Sequence, residues 1–227
     1  MKAGRLAAPF LAVHAALLLA AAAPSGSLLS PLAPMRKGPT FDEYFYVASG
    51  VSYLETGDFN WNREHPPLAK MLSALPLVAA PGLDFPAQWN DLLHYPQQFF
   101  YGHNADRLAR NVFLARLPFV ALALALDAAL FAVALSIAGR AAAFTSLGLA
   151  VFDPNLLSAA PTANLDFPSA AFGFLALAAV RRSIALPGAR STLLAALAVG
   201  AALLTKLTAL LLAPAIALLA SVSAIAS

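Results

Sequence analysis

Hydrophobic positions along the chain form six long runs, separated by short connections and by one long polar segment. The runs cover residues 6–23, 113–138, 141–159, 167–180, 193–204 and 207–225. A helix needs about 20 apolar residues to cross a bilayer, so we expect flanking residues to extend the shorter fourth and fifth runs. The pattern predicts an all-α, polytopic transmembrane bundle of about six spans, forming a single membrane domain over residues 1–227.

The composition is typical of a membrane protein and argues against some classes of function. Hydrophobic residues make up 60% of the chain and charged residues 11%, whereas soluble domains are about half apolar and a quarter charged. The formal net charge of +3 does not indicate a nucleic-acid partner. The absence of cysteine excludes disulfides and thiolate metal sites.

The distribution of charge predicts the orientation of the chain. If the runs alternate across the membrane, the ends on the side of the N-terminus carry Lys2, Arg5, Arg140, Arg181, Arg182 and Arg190, and no acid. This bias is typical of the cytoplasmic side, so we expect a multi-pass protein of the cell membrane with a cytoplasmic N-terminus and an exported segment 24–111. Eight of the eleven acidic residues fall between positions 42 and 106, which places any chemistry on the exported face. The first run also fits a cleavable signal peptide, and that alternative stays open.

The exported segment begins with a predicted amphipathic helix at the membrane surface. Its apolar residues recur at helical spacing, and the helix should end at Gly57. Thr40 and Glu43 fit a capping box, so Glu43 either caps the helix or takes part in catalysis. Asp42 lies in the first turn, where the helix dipole favours its ionised form, which suits a base as well as a cap.

A second short helix is predicted to start after Pro66 and Pro67. Leu68, Leu72 and Leu75 would share one face of it, with Lys70 on another. The neighbouring Glu64 and His65 form either a metal or phosphate site or an ordinary solvated pair, and spacing does not decide between them.

Further ionisable residues lie beside or within the apolar runs. Arg116 fits an anchor of its span at the headgroups, and Asp166 fits an N-cap of the fourth span. Lys206 interrupts a long apolar stretch and is therefore a functional candidate. We expect Asp127 to have a structural hydrogen bond or an interior partner, and His14 to be a polar group in helix packing.

Several motifs, in order, resemble the protein O-mannosyltransferase family. They are Phe41-Asp42-Glu43, Gly57-Asp58-Phe59, His65-Pro66-Pro67-Leu68-Ala69-Lys70, Ala115-Arg116-Leu117-Pro118, Phe152-Asp153-Pro154-Asn155, Asn164-Leu165-Asp166 and Leu203-Leu204-Thr205-Lys206. The resemblance covers nearly the whole chain. The related lipid A aminoarabinose transferases share the layout but carry Lys-Pro in place of His65-Pro66, so the mannosyl branch is the closer match.

This resemblance implies a fold, a reaction and a site. The fold would be the membrane core of a C-type glycosyltransferase, in its N-terminal half, with segment 24–111 as the catalytic loop. A polyprenyl-phosphate sugar would be the donor, and a protein Ser/Thr or glycolipid hydroxyl the acceptor, with membrane lipid around both. Asp42 would be the general base, with Glu43 beside it. The remaining candidates for substrate binding are Glu64, His65, Lys70, Arg116, Asp166 and Lys206. The resemblance implies no certain cofactor, and it leaves a divalent metal open.

Three other interpretations remain open at this stage. The chain could transfer aminoarabinose or another lipid-linked sugar. It could be a transporter, although the charges gather at one surface rather than along the bundle interior. It could also be a non-catalytic membrane subunit or fragment, because members of the family are longer.

Overall fold

The structure, a computed structural model, describes residues 2–23, 38–85 and 94–225. All regular secondary structure within those ranges is helical. The helices are α1 Lys2–Ala22, α2 Phe41–Thr56, α3 Leu68–Ala79, α4 His94–Gln97, α5 Leu108–Phe152, α6 Pro154–Ala159, α7 Asp166–Ala185, α8 Ala189–Leu203 and α9 Leu212–Ile225. A π-helical turn occupies Gln98–His103, and 3-10 turns occupy Ala105–Arg107 and Leu207–Leu211. The predicted all-α membrane fold is confirmed.

Helix α5 is a hairpin of two helices joined at Gly139. A straight helix of its 45 residues would be about 68 Å long, more than twice the hydrocarbon thickness of about 30 Å. Gly139 has φ +78°, which breaks the helix and which glycine adopts without steric cost. The rings of Phe131 and Phe144 lie 5.3 Å apart, whereas a straight helix would separate them by about 20 Å. The two arms of the hairpin correspond to the predicted second and third runs.

The other apolar runs also coincide with helices. The predicted run 167–180 lies within α7, and the run 193–204 overlaps α8, which begins four residues earlier at Ala189. Flanking residues therefore extend both helices, as expected. Of the residues described, the stretches 105–152 and 207–225 are long and apolar enough to cross a membrane, while α8 and the apolar part of α1 are shorter.

Helix α2 begins and ends where the sequence predicts, but it is buried more deeply than a surface helix. Thr40 and Glu43 form the capping box, and Gly57 closes the helix with φ +70°. The small residues at its centre let α3 approach closely, since a Cβ on Gly50 would lie 1.9 Å from the carbonyl oxygen of Lys70. α2 therefore packs inside the protein, against α3.

Helix α3 presents its polar face to the interior. Its buried residues are Ala69, Lys70, Ser73, Ala74 and Leu77. Leu75, on the leucine face that the sequence predicts, is half exposed. The side of α3 that carries Lys70 therefore faces the protein.

The first span, α1, packs along α5 through a buried polar pair. Nδ1 of His14 lies 2.5 Å from Oδ2 of Asp127, and both side chains are about 1% exposed. The interior partner expected for Asp127 and the packing role expected for His14 are thus one hydrogen-bonded contact. Both side chains are buried between the helices rather than facing lipid, and Nε2 of His14 has no hydrogen-bond partner among the described residues.

Candidate functional site

The first turn of α2 is fixed by a buried ion pair between Glu43 and Arg116. Nε and Nη2 of Arg116 each donate to one carboxylate oxygen of Glu43, at 2.7 Å. The same two oxygens accept the backbone N–H of Ala163 at 3.0 Å and that of Thr40 at 2.8 Å. The Glu43 carboxylate therefore joins α2 to α5 and to the connection before α7.

Arg116 completes this junction from the α5 side. Its Nη1 donates to the carbonyl oxygen of Ala22 at 3.0 Å, and its Nη2 donates to that of Gly38 at 3.1 Å. Its side chain is fully buried. The guanidinium thus connects the end of α1 to the segment just before α2.

Burial and ion pairing shift the pKa of the Glu43 carboxyl in opposite directions. Burial alone would raise the pKa of Glu43. The hydrogen bonds and charge of Arg116, together with the N–H groups of Thr40 and Ala163, hold the pKa below its usual value of 4.5 instead. The group is an ionised carboxylate whose accepting positions are engaged.

Asp42, the neighbouring residue, has the opposite environment. Its side chain is exposed, and it forms no hydrogen bond or ion pair with any residue that the structure describes. Of the two adjacent acids, Glu43 is therefore held by the fold, while Asp42 is available to another molecule.

Asp166 and Lys206 meet at the same end of the protein as Asp42. Nζ of Lys206 donates to Oδ1 of Asp166 at 2.5 Å, and the carboxylate is 79% exposed while the lysine is 26% exposed. The backbone N–H of Leu68, at the start of α3, donates to the carbonyl oxygen of Leu204 at 2.9 Å and so connects the turn that precedes Lys206 to α3. Asp42 and Asp166 both lie close enough to Tyr46 to act on its hydroxyl, in line with the predicted approach of Asp166 to the Asp42 helix. A site shared by Asp42, Asp166 and Lys206 stays a prediction.

Tyr46 lies among the acidic residues of this region. Partial burial, with the charges of Asp42, Glu64 and Asp166, raises the pKa of the Tyr46 hydroxyl to about 12. Three carboxylates that are far apart in sequence therefore raise the pKa of one phenol. Sequence reasoning did not identify Tyr46, although its place four residues after Asp42 puts both on one side of α2.

Lys70 lies inside the fold, where it organises the segment that precedes α3. Its Nζ donates to the carbonyl oxygen of Asn62 at 2.8 Å, to Oδ1 of Asn62 at 3.1 Å and to the carbonyl oxygen of His65 at 3.1 Å. Burial lowers the pKa of Lys70 to about 8 despite the nearby charge of Glu64. These contacts favour an internal role over binding of a substrate phosphate.

His65 is partly exposed, and its ring meets that of Tyr46 edge-on at 6.2 Å. Burial and the charges of Lys70 and Lys206 lower the pKa of His65 below 6.5. The imidazole is therefore mainly neutral at pH 7, so it can donate or accept a hydrogen bond but supplies little positive charge.

A cavity of about 330 Å³ opens beside His65. Its lining is Tyr53, Phe59, Asn62, Arg63, Glu64, His65, Pro66, Pro67 and Leu207. Arg63 was not a candidate from the sequence, yet it is an exposed cation on this wall, next to the exposed Glu64. The volume lies at the lower end of the range for small-ligand sites.

Among the described residues, no three His, Asp or Glu side chains are placed to share a metal ion. The assembled features are a free carboxylate, a partly exposed lysine and an aromatic cavity at one end of a helical membrane protein. Such a site can accept a proton and bind a polar ligand.

Comparison with known proteins identifies the family of the chain. The family of dolichyl-phosphate-mannose-protein mannosyltransferases matches residues 35–225. No curated protein and no solved structure matches the chain. Because the match spans most of the chain, the protein belongs to this family of membrane glycosyltransferases.

Proposed function

We propose that the protein transfers a mannose-like sugar from a polyprenyl-phosphate carrier to a hydroxyl acceptor, with inversion, on the exported face of the cell membrane. The acceptor oxygen attacks the anomeric carbon while the bond from that carbon to the carrier phosphate breaks. The phosphate leaves with the bonding electron pair, and Asp42 takes the hydroxyl proton. The family match favours a mannosyl donor over an aminoarabinosyl one.

The observation that carries this proposal is the contrast between Asp42 and Glu43. A general base must be within reach of the proton that it accepts, and its own lone pairs must be free. Glu43 is 1% exposed and its carboxylate already accepts four N–H groups. Asp42 is exposed and unpaired in the part of the chain described, so the proton acceptor is Asp42.

Glu43 and Arg116 act as positioning residues in this proposal. Together they fix the first turn of α2, and with it the backbone of Asp42, against α5 and the connection to α7. A displacement of about 1 Å in a reacting group can lower the rate about 100-fold. A rigid first turn of α2 therefore helps to keep Asp42 in its reactive position.

The departing lipid phosphate needs a nearby cation. Lys206 is the best-placed candidate because it is partly exposed and lies on the Asp42 side of the protein, although Asp166 holds it in this structure. Arg63 is a second exposed cation, on the wall of the adjacent cavity. His65 would contribute a neutral hydrogen bond to the donor or acceptor rather than charge.

Substitution of Asp42 tests this function. Asp42→Asn keeps the shape of the side chain and removes the proton acceptor, so transfer from radiolabelled polyprenyl-phosphate mannose in isolated membranes should fall about 10²- to 10⁴-fold. Glu55→Gln is the matched control, because it neutralises another exposed acid on α2, at the opposite end of that helix. Activity of this control should stay at the wild-type level.

The result that contradicts Asp42 as the base is a loss of less than about tenfold. Such a loss corresponds to only about 1.4 kcal/mol of the barrier, which is too little for removal of the proton acceptor. The role would then pass to Glu64, which is also exposed. Transfer of a different sugar, or of none, by the wild-type protein would overturn the mannosyl assignment itself.

A further inference from the structure

An apolar groove lies between α5, α7 and α9, toward the end of the bundle that is remote from Asp42. It consists of two adjoining cavities of about 430 and 460 Å³. Val133, Ala178 and Arg181 line both. The remaining walls are mostly apolar residues of the three helices, so the groove resembles a hydrophobic ligand site in size and character.

Positive charge is confined to one end of this groove. Arg181 and Arg182 line its wall in the final turns of α7. Nη1 of Arg181 donates to Oγ of Ser136 at 3.1 Å, which leaves most of its N–H donors for another acceptor. No acidic residue occurs in segments 128–152 or 167–225, so no described carboxylate neutralises this end.

We propose that the groove binds one anionic glycerophospholipid, with an acyl chain along the apolar walls and the phosphate at Arg181 and Arg182. Guanidinium groups match phosphate with two parallel hydrogen bonds, and a neutral occupant would leave two arginines without an anion. In the predicted orientation this end lies at the cytoplasmic leaflet, whose surface is negative.

This lipid site is separate from the proposed catalytic end. Arg181 follows Asp166 by fifteen residues on one helix, a distance of about 22 Å. The inference therefore does not depend on the glycosyltransferase proposal, and its test requires no sugar donor or acceptor.

The test compares binding of phosphatidylglycerol and phosphatidylcholine with identical acyl chains to the purified full chain, by native mass spectrometry in neutral detergent. We expect wild type to prefer phosphatidylglycerol. The double variant Arg181→Gln/Arg182→Gln should weaken phosphatidylglycerol binding by about 30-fold, since each arginine near a membrane surface contributes about fivefold, or about 1 kcal/mol.

The matched control is Arg140→Gln/Arg190→Gln, which removes two exposed arginines at the same end that do not line the groove. It should change binding by less than twofold. Equal losses in the two double variants would show diffuse surface attraction and overturn the proposal, as would equal binding of the two lipids by wild type.

A second variant tests the groove itself without changing charge. Ala178→Phe places a large ring where both cavities meet, so it should exclude the acyl chain and reduce phosphatidylglycerol binding at least tenfold. Arg181→Lys/Arg182→Lys keeps the charge and should retain more affinity than the glutamine pair. Unchanged lipid binding by Ala178→Phe would refute the groove as the site, whatever the arginine variants do.

Discussion

Replacing Glu43 by Gln tests whether Glu43 stabilises the folded protein instead of taking part in the reaction. Each carboxylate oxygen of Glu43 accepts one Arg116 N–H and one backbone N–H. A glutamine side chain has one oxygen and one NH₂ group, and in either orientation the NH₂ group faces two N–H donors. The substitution therefore breaks at least two hydrogen bonds and leaves a buried guanidinium without its counterion.

The expected cost follows from these contacts. Unmade hydrogen bonds at buried groups cost about 1–3 kcal/mol each, and removing one partner of a buried ion pair costs about 3–5 kcal/mol in total. For a domain of this length, that loss lowers the melting temperature by roughly 6–20 °C. Asp42→Asn should leave the melting temperature unchanged, because Asp42 is exposed and unpaired among the described residues.

The assay is thermal unfolding in detergent, followed by tryptophan fluorescence, on wild type, Glu43→Gln and Asp42→Asn across pH. The pKa of Glu43 is lowered in the folded protein, so its stabilisation is fully present above the unfolded value of 4.5 and is lost as pH falls through the folded value. The difference between wild type and Glu43→Gln should therefore narrow below pH 4.5. A melting difference under 2 °C at pH 7, or one that does not change with pH, would refute the buried pair.

Two further predictions concern packing and orientation. Gly50→Ala should destabilise the protein by at least about 1–3 kcal/mol in the same assay, because its Cβ would meet the carbonyl oxygen of Lys70. The control is Gly148→Ala, at a helical position with open space, which should be neutral or stabilising. Similar effects of the two substitutions would contradict the close approach of α2 and α3. The chain has no native cysteine, so an introduced one can be labelled selectively. A single cysteine at exposed Asn60 should react with an impermeant reagent in intact cells, whereas one at exposed Ala189 should not. The reverse labelling pattern would show that the predicted orientation is inverted.

Local signals in the sequence predicted local structure well. The Thr40 and Glu43 capping box, the Gly57 stop and the apolar runs depend on neighbouring residues, and each is found in the structure. Counting spans placed Asp166 and Lys206 at the same predicted side of the membrane, and the structure shows the two side chains in contact. These inferences needed only the helix period and the membrane thickness.

The partners of buried charges could not be predicted in the same way. A helix cap could account for Glu43 and a headgroup anchor for Arg116, so nothing local required the two to meet across 73 positions of sequence. Lys70 similarly bonds to backbone carbonyls, which carry no sequence signature. The pairing of His14 with Asp127 depends on the register between α1 and α5, which tertiary packing sets.

The distance in sequence between Glu43 and its partners also has a consequence for biogenesis. Ala163 is made 120 residues after Glu43, so at about 5–20 residues per second the ribosome needs about 6–24 s to supply the last ligand of that carboxylate. During this interval the Glu43 carboxylate lacks this partner and must be hydrated instead, while α5 inserts with Arg116. The junction of Glu43 with Arg116 and Ala163 can therefore be completed only after the connection before α7 has been synthesised, which makes it a late event in insertion of the protein.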